Sequence, residues 1–241
     1  MISDRQEALL MALINEYIQT AEPVSSKILE KSGFFGLSSA TIRAEMNELE
    51  SLGYLAHIFT SSGRVPTERA YRRYVDNVEE VELKTKEKIQ IRSALASAGD
   101  EPRDINRAIA QTLSDLSANL VITGIVEEDD FFKIGLSNLF ELPEFHEFER
   151  VFRLTSFFDE FEAVFNGIAK EFLSQDDVRV FIGRENPIKN VQDETVMFAK
   201  YDLPQNYTGS LTLVGPMRMD YKKNINLVRY ATNEANKLFA R

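Results

Sequence analysis

Tyr54-Leu55-Ala56-His57-Ile58-Phe59-Thr60-Ser61-Ser62-Gly63-Arg64-Val65-Pro66 decides how the first third of the chain is read. Residues 54–59 have the composition of a strand, Thr60-Ser61-Ser62-Gly63 that of a turn, and Arg64-Val65-Pro66 begins a returning strand. Three helical patterns precede this hairpin. Asp4 caps the first, which runs to about Thr20 with Leu9, Leu10, Leu13, Ile14, Tyr17 and Ile18 repeating every three or four residues. Glu22-Pro23 breaks the chain, and Ser25 caps a short second helix from Ser26 to about Lys31, with Ile28 and Leu29 turned inward. Gly33 and Gly36 mark the next turn. Ser38 or Ser39 then caps a third helix that stops at Gly53. After the hairpin Thr67 caps a further helix carrying Arg69, Tyr71, Arg72, Arg73 and Tyr74. Helix, helix, helix, hairpin is the order of a winged helix-turn-helix, expected over residues 1–76.

The third helix carries the chemistry. Ile42, Met46 and Leu49 share one narrow stripe, which leaves Ser39, Ala40, Arg43, Ala44 and Asn47 on the opposite side. That face is small and polar. It suits a major groove, where arginine pairs with guanine and asparagine with adenine, and it equally suits a solvated helix surface. The hairpin favours the groove. Ser39, Ala40, Arg43 and Asn47 are expected at base edges, with Ser38, Thr41, Ser62 and Arg64 at the backbone or minor groove. Arg72 and Arg73 would add longer-range attraction. His57, in the wing strand, reads as structural.

Charge has to be placed before it is counted. The 241 residues carry a formal net charge of −10, an odd balance for a partner of phosphates. Residues 1–78 hold eight Lys/Arg and ten Asp/Glu, whereas residues 61–73 hold four arginines and one acid. The positive charge is local, and an acidic remainder limits non-specific DNA binding. With no cysteine, disulfides and cysteine-ligated zinc are excluded, and His57 and His146 lie too far apart in sequence to suggest a histidine metal site. The polar, acidic start is unlike a signal peptide, and no apolar run approaches the ~20 residues that span a bilayer. A soluble cytoplasmic protein is expected.

Residues 77–102, rich in Glu and Lys, read as an exposed helical linker. From residue 103 to 241 the pattern is α-β-α-β-β-β-α, an α+β domain. Its helical stripes are Ile105, Ile109, Leu113, Leu116 and Leu120, then Phe157, Phe161, Val164, Phe165, Ile168 and Phe172, and finally Tyr221, Ile225, Val228, Ala235 and Leu238. Strands are expected at 120–125, 178–183, 195–201 and 210–215. Aromatic density of this kind builds cores. Glu185-Asn186 and Arg218-Asp220 would flank a ligand or, more simply, form turns and caps. No P-loop, dinucleotide fingerprint, nucleophile elbow or metal cluster is present, so neither an enzyme nor a cofactor is expected.

Glu22-Pro23-Val24-Ser25-Ser26-Lys27, Ser38-Ser39-Ala40-Thr41-Ile42-Arg43, Glu48-Leu49-Glu50-Ser51-Leu52-Gly53-Tyr54-Leu55, Thr60-Ser61-Ser62-Gly63-Arg64-Val65-Pro66-Thr67 and Tyr71-Arg72-Arg73-Tyr74-Val75-Asp76 together resemble the heat-inducible transcription repressor family (HrcA). Further along, Gly135-Leu136-Ser137-Asn138-Leu139 with Pro143-Glu144-Phe145, Ile182-Gly183-Arg184-Glu185-Asn186 and Gly215-Pro216-Met217-Arg218-Met219-Asp220-Tyr221 resemble it too. Ala44 departs from an asparagine, Ala70 from a glycine and Met217 from a threonine. The resemblance implies a GAF-like second domain and a repressor of chaperone genes. Such a repressor binds an inverted-repeat operator in double-stranded DNA as a homodimer, with the chaperonin as co-regulator. Family members carry a second strand pair and an inserted dimerisation domain between the equivalents of Ile125 and Ile134. Here only Val126 to Lys133 fill that interval, so the chain reads as a short form lacking the insertion. The rival expectation is a ligand-responsive regulator whose second domain binds a small metabolite. An enzyme with an appended winged helix has no motif behind it.

Overall fold

The computed structural model describes residues 2–33, 36–58, 63–78, 82–128, 130–172 and 177–239. Two compact units emerge, the first made of residues 1–78 with 218–220 and the second of residues 79–217 with 221–241. Among the described residues no helix is long and apolar enough to cross a membrane.

The first unit opens with α1 (Asp4–Thr20). Its cap is Ser3 rather than Asp4, because the Ser3 hydroxyl accepts from Gln6 N while the Gln6 side chain takes Ser3 N, a reciprocal capping box. Ser25 caps α2 (Ser26–Lys31) and Ser38 caps α3 (Ser39–Ser51), each accepting the amide three residues on. Strands β1 (Leu55–His57) and β2 (Arg64–Pro66) pair antiparallel, with His57 opposite Arg64. Thr67 caps α4 (Glu68–Asp76) and also donates to Gly53 O at 2.8 Å, tying the end of α3 to the start of α4. Leu9, Leu10, Leu13 and Ile14 of α1 meet Ile42, Met46 and Leu49 of α3 and Tyr71 and Tyr74 of α4 in one buried core. Each buried aliphatic side chain there contributes roughly 1.5–3 kcal/mol.

An isolated bridge beside the hairpin lies outside the sequence reading. Val24, fully buried, exchanges two backbone hydrogen bonds with Arg64, at 2.9 and 2.8 Å. Pro23 withholds an amide from helical pairing, and the β-branched Val24 after it stays extended and joins the hairpin. The hairpin is thereby fastened to the connection between α1 and α2.

In the second unit, α5 (Thr85–Ser97) precedes α6 (Pro102–Ser117). The charged stretch expected as an exposed linker therefore holds a packed helix. Ile91 and Leu95, four residues apart, are buried among its lysines and glutamates. Five strands follow: β3 (Leu120–Ile125), β4 (Asp130–Ile134), β5 (Arg179–Ile182), β6 (Glu194–Asp202) and β7 (Thr208–Pro216). They form one antiparallel sheet in the order β4-β3-β7-β6-β5. Strand β4 falls in the interval where only a bridge was expected. Phe131 packs its ring against Phe161 and Phe165 at centroid distances of 5.3 and 5.0 Å. It can do so because its cross-strand partner is Gly124, where a Cβ would come within 2.3 Å of that ring.

Alternation sorts the sheet into two faces. Leu120, Ile122, Val196, Phe198 and Val214 join Phe157, Phe161 and Phe165 of α8 (Phe148–Phe172), with the short α7 (Leu136–Phe140) beside them. The opposite face carries α6 and α9 (Tyr221–Phe239). There Thr123 donates to Asn106 O at 2.9 Å, and the Thr195 and Tyr221 hydroxyls lie 2.8 Å apart. Asn186 is buried with its Nδ2 2.9–3.1 Å from the carbonyls of Gly183, Val191 and Glu194, a turn-building role.

Candidate nucleic-acid interface

Helix α3 is held by α1, α2 and the hairpin and leaves one face open. Glu45 and Glu48 face α1, where Arg5 pairs with Glu45 and Gln6 donates to Glu48 at 2.6 Å. Ala40, Arg43, Ala44 and Asn47, at spacings of three and four, are exposed on another side. Arg43 has no hydrogen-bond or ion-pair partner among the described residues. Its guanidinium is the one on this face that the fold leaves uncommitted there. Ser38 and Thr41 sit at the exposed start of the helix, their hydroxyls 3.0 Å apart. Ser39 is otherwise engaged. Its hydroxyl lies 2.8 Å from that of Ser26, and its amide donates to Glu30 at 3.0 Å, so it joins α3 to α2.

The arginines expected to supply the positive footprint are drawn into the unit. Arg64, the first residue of β2, is folded back onto α3: its Nη2 donates to Asn47 Oδ1 and its Nε lies 2.9 Å from Glu50 Oε2. Only 11 % of its side chain is exposed. Arg69 donates to Leu52 O at 2.6 Å and lies over the Tyr54 ring, 4.5 Å from its centroid. Arg72 faces Asp76 at 3.6 Å. Arg73 donates to Glu7 of α1, and that hydrogen bond lifts its pKa above the ordinary arginine value. Ser62 lies outside the described residues.

Sequence reasoning passed over two contributors to this surface. Glu50, one turn beyond Asn47, accepts from His57 Nδ1 at 2.6 Å while its other oxygen faces Arg64, so it connects both hairpin strands to α3. The 47/50 spacing was the available signal. Lys27 on α2, which neighbours α3, is exposed beside the Ser25 cap and adds a cation to the same part of the unit.

Comparison with known proteins places this geometry. The family model described as "HrcA protein C terminal domain" matches residues 44–225. The heat-inducible transcription repressor HrcA of Clostridium tetani is 28% identical, over 97% of this chain and 95% of its own length. The protein of the same name from Lachnoclostridium phytofermentans is 25% identical, over 99% and 98%. Both alignments extend over 337 positions against the 241 residues here, so those relatives carry a large segment that this chain lacks. A crystal structure described as that of a hypothetical protein at 2.2 Å resolution shares the fold, with a TM-score of 0.81 at 21% identity over 99% of both chains. The family model takes in the second half of α3, the hairpin, α4 and nearly all of the second unit, and on that breadth the chain belongs to the HrcA family.

Proposed function

We propose that this protein is a sequence-specific DNA-binding transcription repressor of heat-shock genes, and not an enzyme. The observation that carries the reading is the exposed, small and polar outer face of α3 beside a hairpin. It occurs in a chain whose relatives are named heat-inducible transcription repressors. In this reading the first unit is a winged helix-turn-helix over residues 1–76, with α2 and α3 as the helix pair and β1 and β2 as the wing. Ala40, Arg43 and Asn47 reach base edges. Ser38 and Thr41, with Ser62 and Lys27, meet the phosphate backbone. Ser39 and Arg73 support that surface from within, and Arg72 adds charge at its margin.

The second unit is GAF-like and mediates dimerisation, so that two first units occupy the halves of an inverted-repeat operator. With the long segment of its relatives missing, the apolar surface for this lies on the unit itself. Phe148 is 83 % exposed and Phe152, one turn on along α8, 61 %. Such a pair facing water marks an interaction surface. The chaperonin acts as co-regulator in the cytoplasm. The rival reading, a metabolite sensor, draws on a cleft of about 330 Å³ between α9 and the segment before α5, lined by Glu82, Lys88, Arg229 and Tyr230. Its cations are already matched, Lys88 by Glu82 at 2.6 Å and Arg229 by Asp177 at 3.0 Å, which weakens the pull on an anionic ligand.

The test is in vitro selection from random duplex DNA with the full-length protein, followed by footprinting on the selected site. An enriched inverted repeat is expected, and no enrichment would defeat the reading. Sedimentation with and without DNA tests the dimer: replacing Phe148 and Phe152 by Glu should shift the protein toward monomer. A wild-type monomer that binds a half-site as tightly as the full site would rule the dimer out.

A further inference from the structure

Among the exposed Ala40, Arg43, Ala44 and Asn47 of α3, the asparagine is the side chain able both to donate and to accept, and free in a major groove it makes the two-point contact to adenine N6 and N7. Asn47 is not free. Arg64 Nη2 donates to its Oδ1, and a guanidinium has only donors, so the amide orientation is set by chemistry: oxygen toward β2, NH2 turned away. That NH2 makes no hydrogen bond among the described residues. Arg64 is itself held. Glu50 Oε2 stands 2.9 Å from its Nε, His57 fixes the other Glu50 oxygen at 2.6 Å, and the Arg64 backbone is bonded to Val24 on both sides. Four anchors keep one guanidinium against one amide oxygen.

We propose that Arg64 is a positioning residue for base recognition. By occupying the Asn47 oxygen it presents Asn47 donor-first, so that this residue reads the paired acceptors of guanine, N7 and O6, and cannot make the two-point contact to adenine. The inference rests on the reading above, that α3 enters a major groove. It reassigns Arg64 from a wing-tip phosphate contact to a determinant of which base the helix selects. Glu50 belongs to the same device: its carboxylate holds Arg64 and keeps that cation from roaming to phosphate.

The experiment measures base preference at every position of the selected site for the wild type, Asn47→Ala, Arg64→Ala and Arg64→Lys, each as the full chain. Asn47→Ala should flatten preference at one base pair per half-site, and in the wild type that pair should be G·C. Arg64→Ala should move preference at the same pair toward adenine by about 10-fold or more, the scale of one two-point contact. Positions lost in Arg43→Ala should stay as they were, which also reports that the variant is folded. Arg64→Lys retains a donor and should keep the wild-type preference. Adenine at the Asn47 pair in the wild type, or an unchanged preference in Arg64→Ala, overturns the proposal while leaving sequence-specific binding intact. Failure of the full chain to select any sequence defeats the underlying reading instead, and the two failures are distinguishable.

Discussion

Replacing Gly63 by alanine tests whether the hairpin is set by close approach rather than by a turn. The sequence places this glycine at the end of Thr60-Ser61-Ser62-Gly63, where conformational freedom would be the obvious reason for it. Gly63 is not among the residues with positive φ. Its constraint is spatial: a Cβ would stand 2.5 Å from both C and O of Val24 and 2.6 Å from Pro23 O. These are backbone atoms of a buried segment and cannot swing aside as a side-chain tip would. Relief requires β2 to move off Val24, which breaks the 2.9 and 2.8 Å hydrogen bonds between Val24 and Arg64. Two such bonds at about 0.5–1.5 kcal/mol each put the cost near 1–3 kcal/mol. In a unit of this size that lowers the melting midpoint by roughly 5–20 °C. Because Arg64 is the next residue, the same movement loosens its hold on Asn47, and affinity for the selected site should fall along with stability. Urea melts and DNA titrations of Gly63→Ala against wild type provide the measurement. Gly53→Ala is the contrast: there φ is +77° with nothing closer than 3.8 Å, so a strain cost of about 1 kcal/mol is expected, without displacement of the hairpin. A Gly63→Ala protein that melts within about 0.5 kcal/mol of wild type and binds equally well would refute the reasoning.

Arg43→Ala should cost about 1–3 kcal/mol on the selected site and little on random DNA; equal losses on both would make Arg43 a phosphate contact. Burial pushes the Tyr74 phenol up from 10.0 to about 12, and it donates to Asn15 at 2.7 Å. The fold thus favours the protonated phenol. The resulting stability is fully present below pH 10 and is lost as pH rises toward 12, so melting followed between pH 9 and 12 should show a decline that Tyr74→Phe lessens. Arg150→Ala strands the Glu194 carboxylate, which is 3 % exposed and bonded by Arg150 at 2.7 and 2.8 Å. A loss of about 3–5 kcal/mol is expected at neutral pH. Burial raises the Glu194 pKa, so acidification should shrink that loss, and a penalty that does not change with pH would mean that packing over Phe145 matters more than the charge.

What the sequence revealed is what local rules encode. Ser25, Ser38 and Thr67 cap helices because a hydroxyl and the amide three residues on are neighbours whatever the rest of the chain does. The Ile42, Met46 and Leu49 stripe follows from helical period in the same way. Strand β4 was hidden because Phe131 and Phe132 are flanked by acids and lysine. Their packing depends on a glycine seven residues back and on a helix thirty residues ahead. The helical character of α5 was legible but its burial was not, because two apolar residues among many charges suffice to bury it. The net charge misled for a related reason. Residues 61–73 are arginine-rich in sequence, but in space each of those arginines has an intramolecular duty, to Asn47 and Glu50, Leu52 and Tyr54, Asp76, or Glu7. A cation paired with a carboxylate releases little when it meets a phosphate, since one partner is exchanged for another. The interface is then left with few uncommitted charges, chiefly Arg43 and Lys27, on a protein of net charge −10. Non-specific affinity for DNA should be low and its salt dependence shallow. If the first unit binds DNA as proposed, discrimination comes from base-edge contacts, and the internal pairing of the arginines, which looks wasteful for that role, is what makes the balance possible.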